Sequence, residues 1–272
     1  MKRTLQFAAL LIAGTIVLAS CNSQGKSKKE SKTPDIKKEN VEKEVREFVY
    51  PLPTSFEVTE MLNRIEAAFI LSLSNPVSNV DKYFTEKSQA LNLGIYSADL
   101  SYASTYNQKQ ETIDFMNAST HLIEKLDITA ALKENLLTDI EQNLENKDQL
   151  VKIITDSFYD TYEYLNKNDR TAVSMLVLAG SWTEALYIST HISEDTFNNK
   201  EMVKIIMEQK EPLNKVMDLL EQHAENEDVK SVIDDLKILH DIYNSVDSGS
   251  LSEDQLQAIK NNVAKLREKF VA

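Results

Sequence analysis

The chain has 272 residues, of which 42% are hydrophobic and 27% charged, with a formal net charge of −13. That size and apolar content allow a sizeable core, while the acidic balance disfavours nucleic acid and anionic lipid surfaces as partners. The single cysteine, Cys21, excludes an internal disulfide and a thiolate metal site.

Residues 1–20 read as a secretory signal peptide. Lys2 and Arg3 precede an apolar run from Leu5 to Leu18, and small residues follow. The run is short for a membrane span. Leu18-Ala19-Ser20-Cys21 resembles the lipobox of bacterial lipoproteins. The resemblance implies cleavage before Cys21, acylation of its thiol, a palmitate-type anchor and a place in the cell envelope. Asn22 after the cysteine implies the outer membrane. Residues 21–46, rich in Lys, Glu and Ser, read as a flexible charged tether that cannot bury enough apolar surface to fold.

Residues 47–272 read as an all-α domain, a multi-helix bundle or array of about nine helices. From residue 54 onward the glycines are Gly94, Gly180 and Gly249, and the prolines Pro76 and Pro212. A sheet protein needs more turn residues than this. The first helix is expected over 55–73, opened by a Thr54–Glu57 capping box and stopped by Asn75-Pro76. Helices over 79–92 and 94–106 follow, or one helix running through Gly94. Further spans are 108–126, 129–145, 148–166, 170–191, 199–224 with a kink or split at Pro212, 228–245, and 252–270 capped by Ser252 and Gln255.

An internal two-fold duplication is expected, with units at about 54–147 and 148–227 and C-terminal helices at 228–272. Glu141–Asp148 (EQNLENKD) and Glu221–Asp228 (EQHAENED) are nearly the same phrase, 80 positions apart. Gly94-Ile-Tyr96-Ser97 matches Gly180-Ser-Trp182-Thr183 at an offset of 86. Tyr106-Asn107-Gln-Lys109 matches Phe197-Asn198-Asn-Lys200 at an offset of 91. The repeated phrase reads as a helix–turn–helix corner, with Asp148 or Asp228 capping the second helix. Each helical glycine costs about 1 kcal/mol relative to alanine. Close approach of two helices compensates in one reading, and a ligand against bare backbone in the other.

Chemistry is harder to find. His121-x-x-Glu124 and His191-x-x-Glu194 could each place two metal ligands on a helix face. Chance is the blander reading, and no metal ligand, catalytic residue or cofactor is assigned. His240 reads as a hydrogen-bonded core residue. No phosphate loop, G-x-S-x-G or H-E-x-x-H occurs. Tyr96, Asp99, Tyr102 and Tyr106 fall on one side of a helix, and with Trp182 they form the candidate binding surface. Tyrosine, with an apolar body and polar tip, suits a groove and equally a bundle core. A second aromatic cluster spans Phe158, Tyr159, Tyr162 and Tyr164.

The stretch LNLGIYSADLSYASTYNQ resembles uncharacterised all-helical cell-envelope lipoproteins, a likeness that transfers no activity. The expected function is a lipid-anchored, non-enzymatic binding or protein-interaction module. Its partners would be a membrane through the anchor and another envelope protein or a small ligand, with no nucleic acid. The alternative is a metal-assisted hydrolase or oxidase using His121, His191 and nearby carboxylates.

Overall fold

The structure, a computed structural model, describes residues 55–246 and 250–272. The expected signal peptide, Cys21, the expected tether and the Thr54 side of the first capping box lie outside the described residues. Among the described residues the body is all-helical, with ten α-helices and no strand.

The helices are α1 (Ser55–Arg64), α2 (Glu86–Thr105), α3 (Lys109–Lys125), α4 (Leu136–Gln142), α5 (Lys147–Lys167), α6 (Thr171–His191), α7 (Lys200–Met207), α8 (Lys210–Glu221), α9 (Glu227–Asn244) and α10 (Glu253–Val271). Short 3-10 turns occupy Leu71–Leu73, Val77–Lys82 and Thr129–Ala131. Gly94 sits inside one continuous helix, which merges the second and third expected spans. The expected 199–224 helix splits into α7 and α8. Pro212 falls in the first turn of α8, where its missing N–H removes no helical hydrogen bond.

The first helix ends at Arg64, eleven residues before Asn75 of the Asn75-Pro76 stop. Glu66 takes a left-handed conformation (φ 59°). Ala67 N–H then reaches Leu62 O and Glu66 N–H reaches Asn63 O, a Schellman close. Asn107 and Asp127 close α2 and α3 in the same way. Residues 66–85 therefore run as an irregular segment rather than as helix.

Both repeated phrases make the expected corner, but their caps are Asn146 and Asn226. Asn146 accepts from Gln149 N–H, and Asn226 accepts from Asp228 and Val229 N–H. Asp148 and Asp228 sit in the first turn, where they favour the helix dipole. Asn199 caps α7, its side chain accepting from Glu201 and Met202 N–H. Ser252 and Gln255 form the expected capping box of α10.

Two helices form the centre. In α2 nearly every residue from Ala90 to Thr105 is buried, and in α6 from Val173 to Thr190. A helix apolar on all sides must be enclosed on all sides. In α6 an 18-residue window is apolar enough to cross a membrane by length and composition, yet 83% of it is buried in the body, which marks a core helix. The amphipathic helices cover this pair: α1, α3 and α5 pack on α2, while α1, α5, α8 and α10 pack on α6.

Helices α2 and α6 run parallel. Arg170 before α6 pairs with Glu86 at the start of α2, and Tyr102 shares a core cluster with Ala185 and Ile188 towards the other end. They touch backbone to backbone at the two glycines. A Cβ on Gly94 would lie 2.0 Å from Val177 O, and one on Gly180 would lie 2.0 Å from Leu91 O. Each contact is to the residue three before the opposite glycine, so the crossing is reciprocal. This is the close-approach reading of the glycines.

A duplication of the whole unit is not shown. The first half has the 17-residue α3 and 7-residue α4 where the second has the 8-residue α7 and 12-residue α8.

Candidate functional site

The residues expected to form a binding surface are mostly core. Tyr96, Asp99 and Tyr102 are fully buried, Trp182 is 5% exposed, and Tyr106 is half-buried against Phe69 and Tyr102. They do not present an open groove. Tyr159 and Tyr162 are also buried.

The stripe on α2 has a different use. Residues 66–85 lie along it without a regular ladder of their own, so their backbone groups need partners. Tyr96 Oη donates to Pro76 O at 2.9 Å, Asp99 Oδ2 accepts from Asn75 N–H at 3.0 Å, and Tyr102 Oη accepts from Ile70 N–H at 2.8 Å. One helix face thus satisfies three backbone groups of the irregular segment. Burial pushes the Tyr102 phenol up to about 12, so it stays a neutral hydroxyl.

At the centre of this face lies a buried polar cluster. Arg267 of α10 forks onto Glu184 of α6, Nε to Oε2 at 2.6 Å and Nη2 to Oε1 at 2.8 Å. The same Nη2 donates to Leu73 O at 2.9 Å. The guanidinium also lies 4.3 Å from the Tyr187 ring centre, and that ring stacks on His191. Asn92 Nδ2 donates to Phe270 O at 2.7 Å. Three helices and the irregular segment are tied at one point.

Two carboxylates face one cation here. Asp99 Oδ1 is buried with no hydrogen-bond partner among the described residues, and a negative charge there would face the Glu184 charge. Burial, then the Glu184 charge, push the Asp99 carboxyl well above its usual range, against Arg267 and the Asn75 N–H. Burial raises Glu184 too, with the Arg267 charge and hydrogen bonds opposing it. Asp99 is therefore the proton carrier and Glu184 the anion. Arg267 is held charged: burial opposes its charge, and Glu184 more than offsets that.

The stability sign follows. A carboxyl raised in the fold binds its proton more tightly there than when unfolded, so stability falls as pH rises from its unfolded value of 3.8 towards its folded one. Asp99→Asn keeps an acceptor for Asn75 N–H while removing that titration. In urea titrations at pH 5 and pH 8, the wild type should lose stability relative to D99N on going to pH 8. An unchanged gap would contradict a protonated Asp99.

The histidines do not converge. His121 lies at the surface, 3.1 Å from Asp81. His191 is half-buried, with Nδ1 beside Tyr187 O and Thr190 Oγ1. Burial lowers its pKa, so it is held neutral. His240 is half-exposed against Asn244 rather than in the core, and Leu239 takes the buried place. Among the described residues no three His, Cys, Asp or Glu side chains come together to hold a metal.

A cavity of about 50 Å³ lies between α2, α3, α5 and α6, at the start of α1. Its walls are Leu93, Leu100, Met116, Ile140, Phe158 and Val177, interleaved with Ser and Thr hydroxyls.

Sequence reasoning missed Glu184 and Arg267. A signal was present: Glu184 is the only carboxylate in α6, and a charge on an all-buried helix requires a partner. No protein-family model matches the chain, and neither the curated proteins nor the solved structures compared with it give a match.

Proposed function

We propose that this chain is a lipid-anchored cell-envelope protein whose helical body is a non-enzymatic binding or interaction module. The observation that carries the anchor is Leu18-Ala19-Ser20-Cys21 behind a basic and then apolar leader. A charged tether follows, long enough to hold a folded body clear of a bilayer. Each buried lipid methylene contributes about 0.8 kcal/mol, so two or more chains anchor stably. Asn22 supports the outer membrane, and the acidic charge argues against nucleic acid.

The body supports binding over the metal-assisted hydrolase or oxidase. That alternative needs His121, His191 and carboxylates in one place, and they lie apart on different surroundings. Glu184 and Arg267 are used in tying α6 to α10 and to Leu73.

The test is the N-terminus of the envelope fraction. The mature chain should begin at Cys21, take up an alkyne-labelled fatty acid and pellet with membranes. Cys21→Ser should lose the label and leave the membrane. A label retained in C21S, or a mature terminus elsewhere, would sink the anchor.

A further inference from the structure

We infer that the cavity between α2, α3, α5 and α6 is a binding site for the hydroxylated end of a neutral aliphatic molecule. The inference rests on the binding-module reading and gives it a ligand class. No charged side chain lines the cavity, and a bare charge brought there would lose its hydration without a counter-ion. The ligand is therefore uncharged.

The hydroxyls decide its polarity. Ser97 donates to Leu93 O, Ser101 to Ser97 O, and Thr161 to Ser157 O, each on its own helix. Their protons are used, which leaves lone pairs as acceptors. Ser119 differs. It is 4% exposed, lines the cavity, and its Oγ has no hydrogen-bond partner. A buried hydroxyl left unsatisfied is costly. The fitting group both donates, to the back-bonded hydroxyls, and accepts, from Ser119. An alcohol does both.

Size sets the rest. An apolar cavity of about 150 Å³ holds benzene, so about 50 Å³ admits a chain end rather than a ring. Met116, Ile140 and Phe158 supply the apolar wall for the first methylenes.

The experiment uses the full chain carrying Cys21→Ser, so that no anchor lipid is present and failure of the lipidation reading leaves the readout intact. The Met116 methyl resonance, assigned through Met116→Leu, is titrated with 1-butanol, 2-butanone and butyrate. 1-Butanol should shift it saturably, 2-butanone, an acceptor only, about tenfold more weakly, and butyrate not at all. Ser119→Ala should weaken 1-butanol and 2-butanone alike, several-fold, because each accepts from the Ser119 hydroxyl. Ser119→Leu, which fills the space, should abolish both shifts. No saturable shift with 1-butanol would mean that the cavity holds water only and would overturn the inference. Equal binding of all three probes, or alcohol binding indifferent to Ser119→Ala, would overturn it too. Co-purification of an envelope protein alongside a silent titration would refute this ligand and leave the binding module standing.

Discussion

Replacing Arg267 with methionine should lower the unfolding free energy by about 3–5 kcal/mol, the range for removing one partner of a buried ion pair. For a body of this size that is a fall in Tm of roughly 10 °C. Arg267 is the only cation bonded to the Glu184 carboxylate among the described residues, and Glu184 is fully buried. Without the guanidinium, Glu184 is stranded beside Asp99, and Leu73 O loses its donor. Methionine keeps the volume of the stem and part of the contact with Tyr187. The loss should therefore report charge rather than packing.

The double variant Glu184→Met/Arg267→Met separates the two. Replacing both partners by apolar groups of similar shape is often nearly neutral, so the double should recover most of what R267M loses. Equilibrium urea denaturation of the four proteins in the cycle measures the coupling. An R267M variant within about 1 kcal/mol of wild type would mean that the cluster is not desolvated as described.

What the chain made legible and what it hid follow from the kind of signal each feature leaves. Helical class shows in local periodicity and in the near absence of glycine and proline, so α10 with its Ser252 cap and α6 could be placed within a residue or two. Helix ends were less legible. Glu66, Asn107, Asp127 and Asp169 take left-handed conformations, and reading for glycine as the stop signal misses all four. The irregular segment 66–85 was hidden for the same reason.

The stripe on α2 was visible as residues but not as a use. Tyr96, Asp99 and Tyr102 share a face, which periodicity shows. That the face meets backbone groups of Pro76, Asn75 and Ile70 depends on a segment with no periodicity to read. Arg267, next to Leu266 at the edge of the α10 seam, looks like any solvated basic residue until α6 is placed beside it. Long-range pairing of charges lives in the fold and leaves no mark in local spacing.

The reciprocal glycine contact yields the second large effect. Gly94→Ala and Gly180→Ala should each destabilise by about 3 kcal/mol, at the upper end of overpacking costs. Alanine would normally gain about 1 kcal/mol in a helix interior, so the sign itself is informative. The added methyl on residue 94 would sit 2.0 Å from Val177 O, and that on residue 180 would sit 2.0 Å from Leu91 O. Both obstacles are backbone atoms, which no rotamer change can move. The helices must part, and parting them loosens α1, α5 and α10, which pack on one or both. Because both contacts belong to one crossing, separation forced by the first methyl makes room for the second. The double variant should therefore lose at least 1 kcal/mol less than the sum of the singles, outside the additivity expected of independent sites. Independent, additive losses would deny the shared crossing. A stabilised Gly94→Ala would deny the close approach altogether and return the glycines to helix propensity alone.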